Sequence, residues 1–146
     1  MKFRPAKKSD FSEIMRLYEQ LWSPGKIVPK NMKKLKKAWH KIIKANYDYE
    51  LVLEKNNKLI GHVTLRIIPE FWLKDKMGLI DDVVIDKDYR GQGLADKMMK
   101  EIKKIAKKKK VKTLVLYTED YRPKAIKLYN RLKYQKLDKI WYKKEI

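Results

Sequence analysis

The stretch Ile80–Ala95, IDDVVIDKDYRGQGLA, decides the fold, because it passes from an apolar strand through a glycine loop into a helix. Leu79–Ile85 is apolar apart from its aspartates, which predicts a strand that packs into the core. Gly91 and Gly93 follow, and an apolar stripe then recurs at helical spacing to about Lys108, at Leu94, Met98, Ile102 and Ile105. Glycine lets the backbone approach a ligand closely, and free N–H groups at a helix start bind phosphate. We therefore predict a strand, an anion-binding loop and a helix.

Periodicity on either side of this stretch predicts a mixed α/β sheet. The other predicted elements are a strand at Lys2–Arg4, helices at Phe11–Trp22 and Lys30–Ala45, strands at Tyr49–Lys55 and Leu59–Ile68, a strand at Thr113–Thr118, a helix from Pro123 and a strand at Lys139–Lys144. Asp10 is predicted to be an N-cap, with Glu13 as its capping-box partner. Asn56-Asn57 predicts a hairpin turn. Pro69–Lys76 is predicted to be a loop rich in aromatic side chains.

Composition excludes several classes of function. The 146 residues are long enough for one domain with a core, and 44% hydrophobic residues exclude a disordered chain. The lack of cysteine excludes a disulfide scaffold, a thiolate zinc site and a cysteine nucleophile. The two histidines are too few for a histidine-rich metal site. No apolar run suits a membrane span or a signal peptide, so we expect a cytoplasmic protein without membrane contact.

The charge is strongly positive: 38 Lys and Arg against 18 Asp and Glu give +20. Such a balance favours polyanionic partners such as nucleic acid, a ribosome or a phosphorylated cofactor. A lysine-rich proteome or a thermophilic source produces the same excess. Arginine, which base readout and phosphate clamps prefer, is scarce, so the lysines supply field rather than recognition. The Lys107–Lys110 run is interpreted as a solvated helix end, with polyanion contact as the alternative.

The glycine loop alone does not identify its ligand. A dinucleotide fingerprint needs a third glycine at the position of Asp96, and a Walker loop needs a Gly-Lys-Ser/Thr sequence that is absent. Two glycines alone favour an ordinary strand-to-helix turn over a ligand-binding loop. However, Arg90-x-x-Gly93-x-Ala95 after a strand resembles the acyl-CoA-binding motif Arg/Gln-x-x-Gly-x-Gly/Ala of the Gcn5-related N-acetyltransferases, the GNAT superfamily. Further similarities extend over nearly the whole chain, at Phe3–Ala6 with Asp10, at Gly61–Val63 and at Ala125–Tyr129.

This resemblance implies a single acetyltransferase domain over residues 1–146 and acetyl-CoA as co-substrate. The implied fold is a GNAT-like mixed, mostly antiparallel, splayed sheet flanked by about four α-helices. The pantetheine arm would lie between the diverging strands, and backbone N–H groups of the loop would hold the pyrophosphate. The implied cofactor-binding residues are Val83, Val84, Ile85, Arg90, Gly91, Gln92, Gly93, Leu94, Ala95, Asp96, Arg122 and Ala125.

A tyrosine of the family, at the position of Tyr129, protonates or hydrogen-bonds the leaving CoA sulfur, so Tyr129 is predicted to be catalytic. Two departures from the family pattern stand nearby. Arg122 replaces a common Asn, which leaves its contact with a CoA phosphate open, and Lys133-Tyr134 replaces the usual Gly-Phe. Direct transfer needs no acyl-enzyme, which agrees with the absence of a cysteine and of a Gly-x-Ser-x-Gly motif.

The acceptor amine must lose a proton, and the thioester oxygen needs a donor such as a strand N–H near Val83. Side-chain alternation predicts that Asp81 and Asp82 point to opposite faces. In relatives that acetylate polyamines and sugar amines, the first acidic residue in this register approaches the substrate. Asp81 is therefore the first candidate for amine binding or proton acceptance through water, and Asp82 is the second; a solvated or ion-paired carboxylate is the alternative reading. Phe71 and Trp72 are predicted to line the acceptor pocket, with a dimer contact or core packing as alternatives.

We therefore predict an N-acetyltransferase that transfers an acetyl group directly from acetyl-CoA to an amine of a small molecule or a protein. A free polyamine would be repelled by the +20 charge unless Asp81, Asp82 and Glu70 form a local acidic pocket. The alternatives are a basic nucleic-acid- or ribosome-associated module that kept the fold without turnover, and a cofactor-binding sensor. Weak polyanion contact and a homodimer, which is common in the family, are further expectations.

Overall fold

The computed structural model describes residues 1–21, 31–45, 48–70, 75–138 and 144. Within them, the strands are β1 (Lys2–Pro5), β2 (Asp48–Lys55), β3 (Lys58–Glu70), β4 (Asp75–Ile85) and β5 (Val111–Leu116). The α-helices are α1 (Phe11–Glu19), α2 (Met32–Ile42), α3 (Leu94–Lys108) and α4 (Pro123–Arg131). Short 3-10 helices at Lys8–Asp10 and Lys87–Tyr89 precede α1 and the glycine loop.

The five strands form one sheet in the order β1-β2-β3-β4-β5. The first three pairs are antiparallel, and β4 pairs with β5 in parallel across the α3 connection. This mixed, mostly antiparallel sheet with four helices confirms the predicted fold class. Asn56 and Asn57 have φ angles of 50° and 61°, which confirms the predicted left-handed turn between β2 and β3.

The hairpin of β3 and β4 is longer than its sequence predicts. Pro69 and Glu70 pair with Lys76 and Asp75, in a segment that was predicted to be a loop. A ladder that is already formed carries pairing into residues of low strand propensity, which explains the difference. Residues 71–74, and with them the predicted pocket residues Phe71 and Trp72, lie outside the described residues. The predicted strand at Lys139–Lys144 lies outside them too, apart from Lys144.

Two apolar clusters cover the two faces of the sheet. Alternate residues of β2 serve both, because Leu51 and Leu53 belong to the cluster under α3, whereas Val52 belongs to the cluster under α1 and α2. The α3 cluster contains the predicted helix stripe, with Met98 1% and Ile102 0% exposed. The helix α3 thus packs against the sheet along its whole apolar face.

Asp10 precedes α1 as predicted but does not cap it with its side chain. Its carboxylate instead accepts hydrogen bonds from Arg4 Nη1 and from the Lys7 N–H, both at 2.7 Å. A charge-assisted bond to a guanidinium is stronger than a bond to a neutral helix N–H, so the capping-box prediction is wrong for a physical reason. The same Arg4 also contacts Glu54 at 2.6 Å and so ties β1 to β2 and the start of α1.

Gly61 allows α3 to approach β3 closely, and we expect Gly61→Ala to destabilise the fold by about 1–3 kcal/mol. A Cβ at this position would lie 2.8 Å from Met98 Sδ and 3.0 Å from Ile85 Cδ1. Urea denaturation gives the change in unfolding free energy. In a double-mutant cycle with Met98→Ala, the two losses should sum to more than the loss of the double variant, because the second change removes the contacted sulfur. Fully additive losses would contradict this account.

Candidate active site

One extra residue in β4 shapes the centre of the sheet. Thr64 pairs with Asp81 and His62 with Val84, so two steps along β3 face three steps along β4. Asp82 lies in this interval with a φ angle of 52°, in the left-handed region. The geometry is that of a β-bulge, which bends a strand and increases its twist.

The strands β4 and β5 part where the bulge begins. Their pairing runs from Lys76 with Val111 to Ile80 with Leu116 and extends no further. In the described part of the chain, Asp82 and Val83 have no partner in the registers of either neighbouring strand. Regular ladder pairing with β5 therefore ends before this position, and the gap between the two strands is where a ligand could enter.

The bulge also places Asp81 and Asp82 on the same side of the sheet, so the prediction of opposite faces is wrong. Asp81 pairs with Thr64 and accepts a hydrogen bond from Arg66, which lies on the same face of β3 two residues further on. Asp82 contacts Tyr18 of α1, on this face. Strict alternation holds only for a regular strand, and the extra residue rotates one side chain back to the α1 side.

Asp81 is the more strongly bound of the two carboxylates. Arg66 Nη1 lies 2.7 Å from Asp81 Oδ2, and the Tyr117 hydroxyl donates to Oδ1 at 3.0 Å. The N–H of Asp82 also donates to Oδ1, at 2.9 Å. An ion pair and two hydrogen bonds occupy this carboxylate, which is the alternative reading that the sequence left open.

Asp82 has a different environment. Its Oδ2 accepts a hydrogen bond from the Tyr18 hydroxyl at 2.9 Å. Burial, followed by the neighbouring charge of Asp81, raises the pKa of Asp82 above its usual range. Burial also raises the pKa of Tyr18, so its hydroxyl remains a donor to the carboxylate. A carboxylate with a raised pKa at the mouth of the splay is suited to take up a proton.

A buried polar cluster supports Tyr18 from below. Its ring meets the His62 ring edge-on, with centroids 5.4 Å apart. The fully buried His62 contacts Glu50 Oε2 through Nε2 at 2.8 Å, and the Thr64 hydroxyl donates to the same oxygen at 2.9 Å. Sequence reasoning missed Tyr18 and Glu50; the available signal was a charged residue, Glu50, within an otherwise buried strand.

The glycine loop at the other end of the splay is open. Gly91 and Gly93 have φ angles of 78° and 69°, and a Cβ on either would meet no atom within 4 Å. Backbone geometry rather than crowding therefore requires glycine here. Gly93 is also the N-cap of α3, where no side chain caps the first N–H groups. These groups and the free space above them fit a bound phosphate.

Side chains on both sides anchor this loop to the sheet. Arg90 Nε donates to the Ile85 carbonyl at 2.9 Å and so ties the loop to the end of β4. Asp86 is 1% exposed and contacts Arg16 at 2.6 Å and Lys58 at 3.4 Å. Burial alone would raise the pKa of Asp86, but the hydrogen bond from Arg16 and further charge interactions outweigh it and lower that pKa.

The remaining predicted cofactor residues lie around the N-termini of α3 and α4. Val84 and Ile85 complete β4, Gln92, Leu94 and Ala95 belong to the loop and first turn of α3, and Ala125 lies in the first turn of α4. Asp96 forms a two-point contact with Arg131 of α4, at 2.7 and 3.1 Å. Arg122 Nη2 donates to the Leu21 carbonyl at 2.9 Å, and its Nε lies 2.7 Å from Glu119 Oε2. Arg122 thus links α4 to the end of α1.

Tyr129 lies on α4 and packs edge-on against Tyr134, with ring centroids 6.1 Å apart. Burial, followed by the proximity of Tyr134, raises the pKa of Tyr129 to about 12. The phenol therefore keeps its proton at neutral pH. Lys133, where the family pattern has a glycine, adopts a φ angle of 62° and ends α4 in the left-handed conformation that glycine adopts with least strain.

Comparison with protein families agrees with this arrangement. A sequence model of the acetyltransferase (GNAT) family matches residues 11–134, which include the bulge, the glycine loop and Tyr129. The chain belongs to the GNAT family. The predicted family is therefore confirmed. No curated protein matches the sequence.

Solved structures show the same fold at low sequence identity. A putative acetyltransferase from Agrobacterium tumefaciens has a TM-score of 0.88 at 16% identity, over 99% of this chain and 100% of that one. An aminoglycoside acetyltransferase from an uncultured soil metagenomic sample, in complex with sisomicin, has a TM-score of 0.82 at 15% identity, over 99% and 96%. A predicted acetyltransferase from Clostridium acetobutylicum, with acetyl-CoA, has a TM-score of 0.77 at 22% identity, over 99% and 95%.

The described residues offer neither a metal site nor a membrane-spanning helix. These residues contain no group of three or more side chains that could hold a metal ion. Among the same residues, no helix has the length and apolar character needed to cross a membrane.

The raised pKa of Asp82 predicts that Asp82→Asn is at least as stable as the parent at neutral pH. A raised folded-state pKa means that the parent loses stability as the pH rises from about 4 through that pKa, because the folded carboxyl must then ionise in a buried site. Asparagine removes this penalty, keeps an acceptor for Tyr18 and tolerates the left-handed backbone. Urea denaturation from about pH 3 to pH 8 should show the advantage of the variant growing with pH.

The matched control is Asp81→Asn, which breaks the ion pair with Arg66 and should lose up to about 1 kcal/mol at neutral pH. An equal loss of stability in both variants at neutral pH would contradict the distinction between the two carboxylates.

Proposed function

We propose that this protein transfers an acetyl group directly from acetyl-CoA to an amine, as one acetyltransferase domain over residues 1–146. The observation that carries the proposal is the bulge at Asp82, which ends the β4–β5 pairing and leaves the backbone of Val83 unpartnered in the described registers. The open glycine loop lies at the end of the same strand. We further propose that the protein acts in the cytoplasm, as its composition suggests.

The residues around the splay fit acetyl-CoA, which supplies a thioester as the acetyl donor. Peptide groups of Val83 and Ile85 would hydrogen-bond the pantetheine amides, and N–H groups from Gly91 to Asp96 would hold the pyrophosphate. Arg131 neutralises the Asp96 carboxylate, so that carboxylate does not repel the phosphates. The Val83 N–H, in the interval that neither register covers, would donate to the thioester oxygen as negative charge develops there.

Asp82 rather than Asp81 is the better proton acceptor for the amine. An acceptor ammonium must lose a proton before its nitrogen can attack the thioester carbon. The raised pKa of Asp82 favours uptake of that proton, directly or through water. Asp81 is already paired with Arg66 and hydrogen-bonded by Tyr117, so it is less suited to take up the proton. This assignment reverses the order that the sequence suggested for the two aspartates.

Tyr129 is suited to the second proton transfer. Formation of the amide bond breaks the carbon–sulfur bond and leaves a thiolate, which takes a proton from a nearby acid. The Tyr129 phenol, with a pKa near 12, is protonated at neutral pH and therefore able to donate. The nitrogen loses two protons in all: Asp82 takes the first before attack and passes it to water, and the second, released as the amide forms, returns through water to the Tyr129 phenolate after the phenol has protonated the sulfur. The transfer is then balanced without a covalent acyl-enzyme.

A small cationic amine fits this site better than a bulky protein segment. The two carboxylates on one side of the bulge form a local acidic site within a chain of net charge +20. Glu70 does not contribute, because it pairs with Asp75 at the far end of the hairpin, six residues or about 20 Å from Thr64. The similar aminoglycoside acetyltransferase binds sisomicin, an amine-bearing ligand. A protein amine is the alternative acceptor, and the lysine peptide in the activity assay below tests it.

Gly93→Val should weaken acetyl-CoA binding at least about tenfold, because a branched side chain would fill the open space above the loop. Isothermal calorimetry measures this change. The control is Lys110→Val, which forces the same residue into a φ angle of 59°, against 69° at Gly93, at the opposite end of α3. Both variants should lose about 1–2 kcal/mol of stability, but the control should keep its affinity. Equal affinity in both would remove the loop from the cofactor site.

Tyr129→Phe should lower the rate of acetyl transfer about 100-fold while acetyl-CoA affinity stays unchanged, because the phenol acts only on the leaving sulfur. Release of free CoA thiol, followed with aminoglycosides, polyamines and a lysine peptide as acceptors, measures the rate. Tyr134→Phe serves as the control, since it preserves the ring contact with Tyr129. An unchanged rate in Tyr129→Phe would exclude the tyrosine from the mechanism. Tight acetyl-CoA binding without turnover of any amine would favour the alternative that the protein is a cofactor-binding sensor and not an enzyme.

A further inference from the structure

A second site lies at the opposite end of α3 from the glycine loop. A cleft of about 500 Å³ opens where β4 and β5 begin and α3 ends, and we call it the basic cleft. It is lined by Asp75, Lys76, Lys107, Lys110, Val111 and Lys112. The 15 residues of α3, at about 1.5 Å each, separate the two ends by about 22 Å. Phosphates bound at the start of α3 therefore do not account for these lysines.

The basic cleft carries a net positive charge that no ion pair among the described residues offsets. Four lysines against one aspartate give a formal charge of +3 (4 − 1). None of these four lysines forms an ion pair with another described residue, and Lys76 Nζ donates only to the Lys109 carbonyl, at 3.5 Å. By contrast, five of the six arginines form ion pairs with carboxylates; these are Arg4, Arg16, Arg66, Arg122 and Arg131. The cleft is thus a local concentration of free positive charge.

The cleft lysines come from several elements and not from one helix end. A helix C-terminus attracts cations, which accounts for Lys107 in the last turn of α3. Lys76 and Lys112, however, lie on the strands β4 and β5. Lys110 follows α3 with a φ angle of 59°. Glycine or asparagine takes this left-handed conformation after a helix with less strain than lysine does. Their convergence is a property of the fold rather than of the lysine run alone.

The chemistry of the lining favours phosphodiester groups. Lysine ammonium groups act as point charges, without the planar fork with which arginine reads bases, and the lining has no aromatic ring on which a base would stack. A membrane surface would require apolar side chains beside the charges. The large exposed apolar residues of the described chain, Met1, Met32, Tyr117, Tyr121 and Leu137, do not line the cleft.

We propose that the basic cleft binds the sugar–phosphate backbone of a nucleic acid without sequence preference. The net charge of +20 attracts such a polymer to the protein. In the cleft, lysines from three parts of the fold lie close enough together to contact its phosphates. This proposal does not depend on acetyl transfer, because the cleft shares no residue with the splay or the glycine loop.

The test compares two triple variants with equal loss of charge. Lys107→Gln/Lys110→Gln/Lys112→Gln alters the cleft, and Lys33→Gln/Lys36→Gln/Lys37→Gln alters the exposed face of α2. Fluorescence anisotropy follows binding of a mixed-sequence RNA of about 20 nucleotides between about 50 and 200 mM salt. We expect the cleft variant to bind at least about tenfold more weakly at 100 mM salt, with a salt slope smaller by about 2. The α2 variant should change affinity less than about threefold, and both should keep the parental thermal melt.

Several results would overturn the proposal. Equal weakening in the two variants would assign binding to diffuse surface charge, and the absence of RNA binding by the parent would exclude the site. Tighter binding to vesicles containing anionic phospholipid than to RNA would assign the cleft to a membrane surface. Displacement of RNA by inorganic polyphosphate at equal phosphate concentration, together with tighter direct binding of polyphosphate, would assign the cleft to free polyphosphates.

Discussion

The bulge at Asp82 is the constraint on which the rest of the site depends. Pairs on both sides of it, Thr64 with Asp81 and His62 with Val84, are fixed by the β3 ladder, so the extra residue has no regular conformation open to it. It takes a left-handed φ instead, and β4 turns away from β5 at the same point. One local irregularity thereby separates the strands, takes Asp82 and Val83 out of the regular registers and brings two carboxylates together. None of these three features would survive a regular ladder.

Polar contacts with α1 stabilise a bulge that would otherwise be strained. Tyr18 binds Asp82, the ring of Tyr18 rests on His62, and His62 and Thr64 both bind Glu50. Buried polar groups are costly without partners, and these bonds supply them to every ring and carboxylate named here except at His62 Nδ1, so the cluster favours one position of α1 relative to the sheet. Burial beneath α1 raises the pKa of Asp82, whereas the hydrogen bond from Tyr18 lowers it. Stability of the fold and reactivity of the carboxylate therefore draw on the same interactions, with opposite effects on the charged form of Asp82.

Part of this arrangement can be predicted from the sequence, whereas the other part is set by tertiary contacts that the sequence does not reveal. Helical and strand periodicity predicts the sheet and its helices, and the Gly91–Gly93 spacing predicts the open loop. The bulge is different, since IDDVVI reads as a regular strand and the extra residue exists only relative to the register of β3. For the same reason the sequence misplaces Asp82 and omits Tyr18. Asp10 likewise looks like a cap until Arg4, from another strand, is brought against it by the fold.

The helix α3 organises the charge of the molecule from end to end. Its first turn offers N–H groups and a positive dipole end to an anion, and Arg131 neutralises the only acidic side chain there, Asp96. Its last turn presents carbonyls, which favour the lysines that follow and hold them beside the starts of β4 and β5. Each end is thus suited to phosphate for a different reason, backbone N–H groups at one and ammonium groups at the other. The two sites are about 22 Å apart by helix length, nearly three Debye lengths at physiological salt, so occupancy of one leaves the field at the other nearly unchanged.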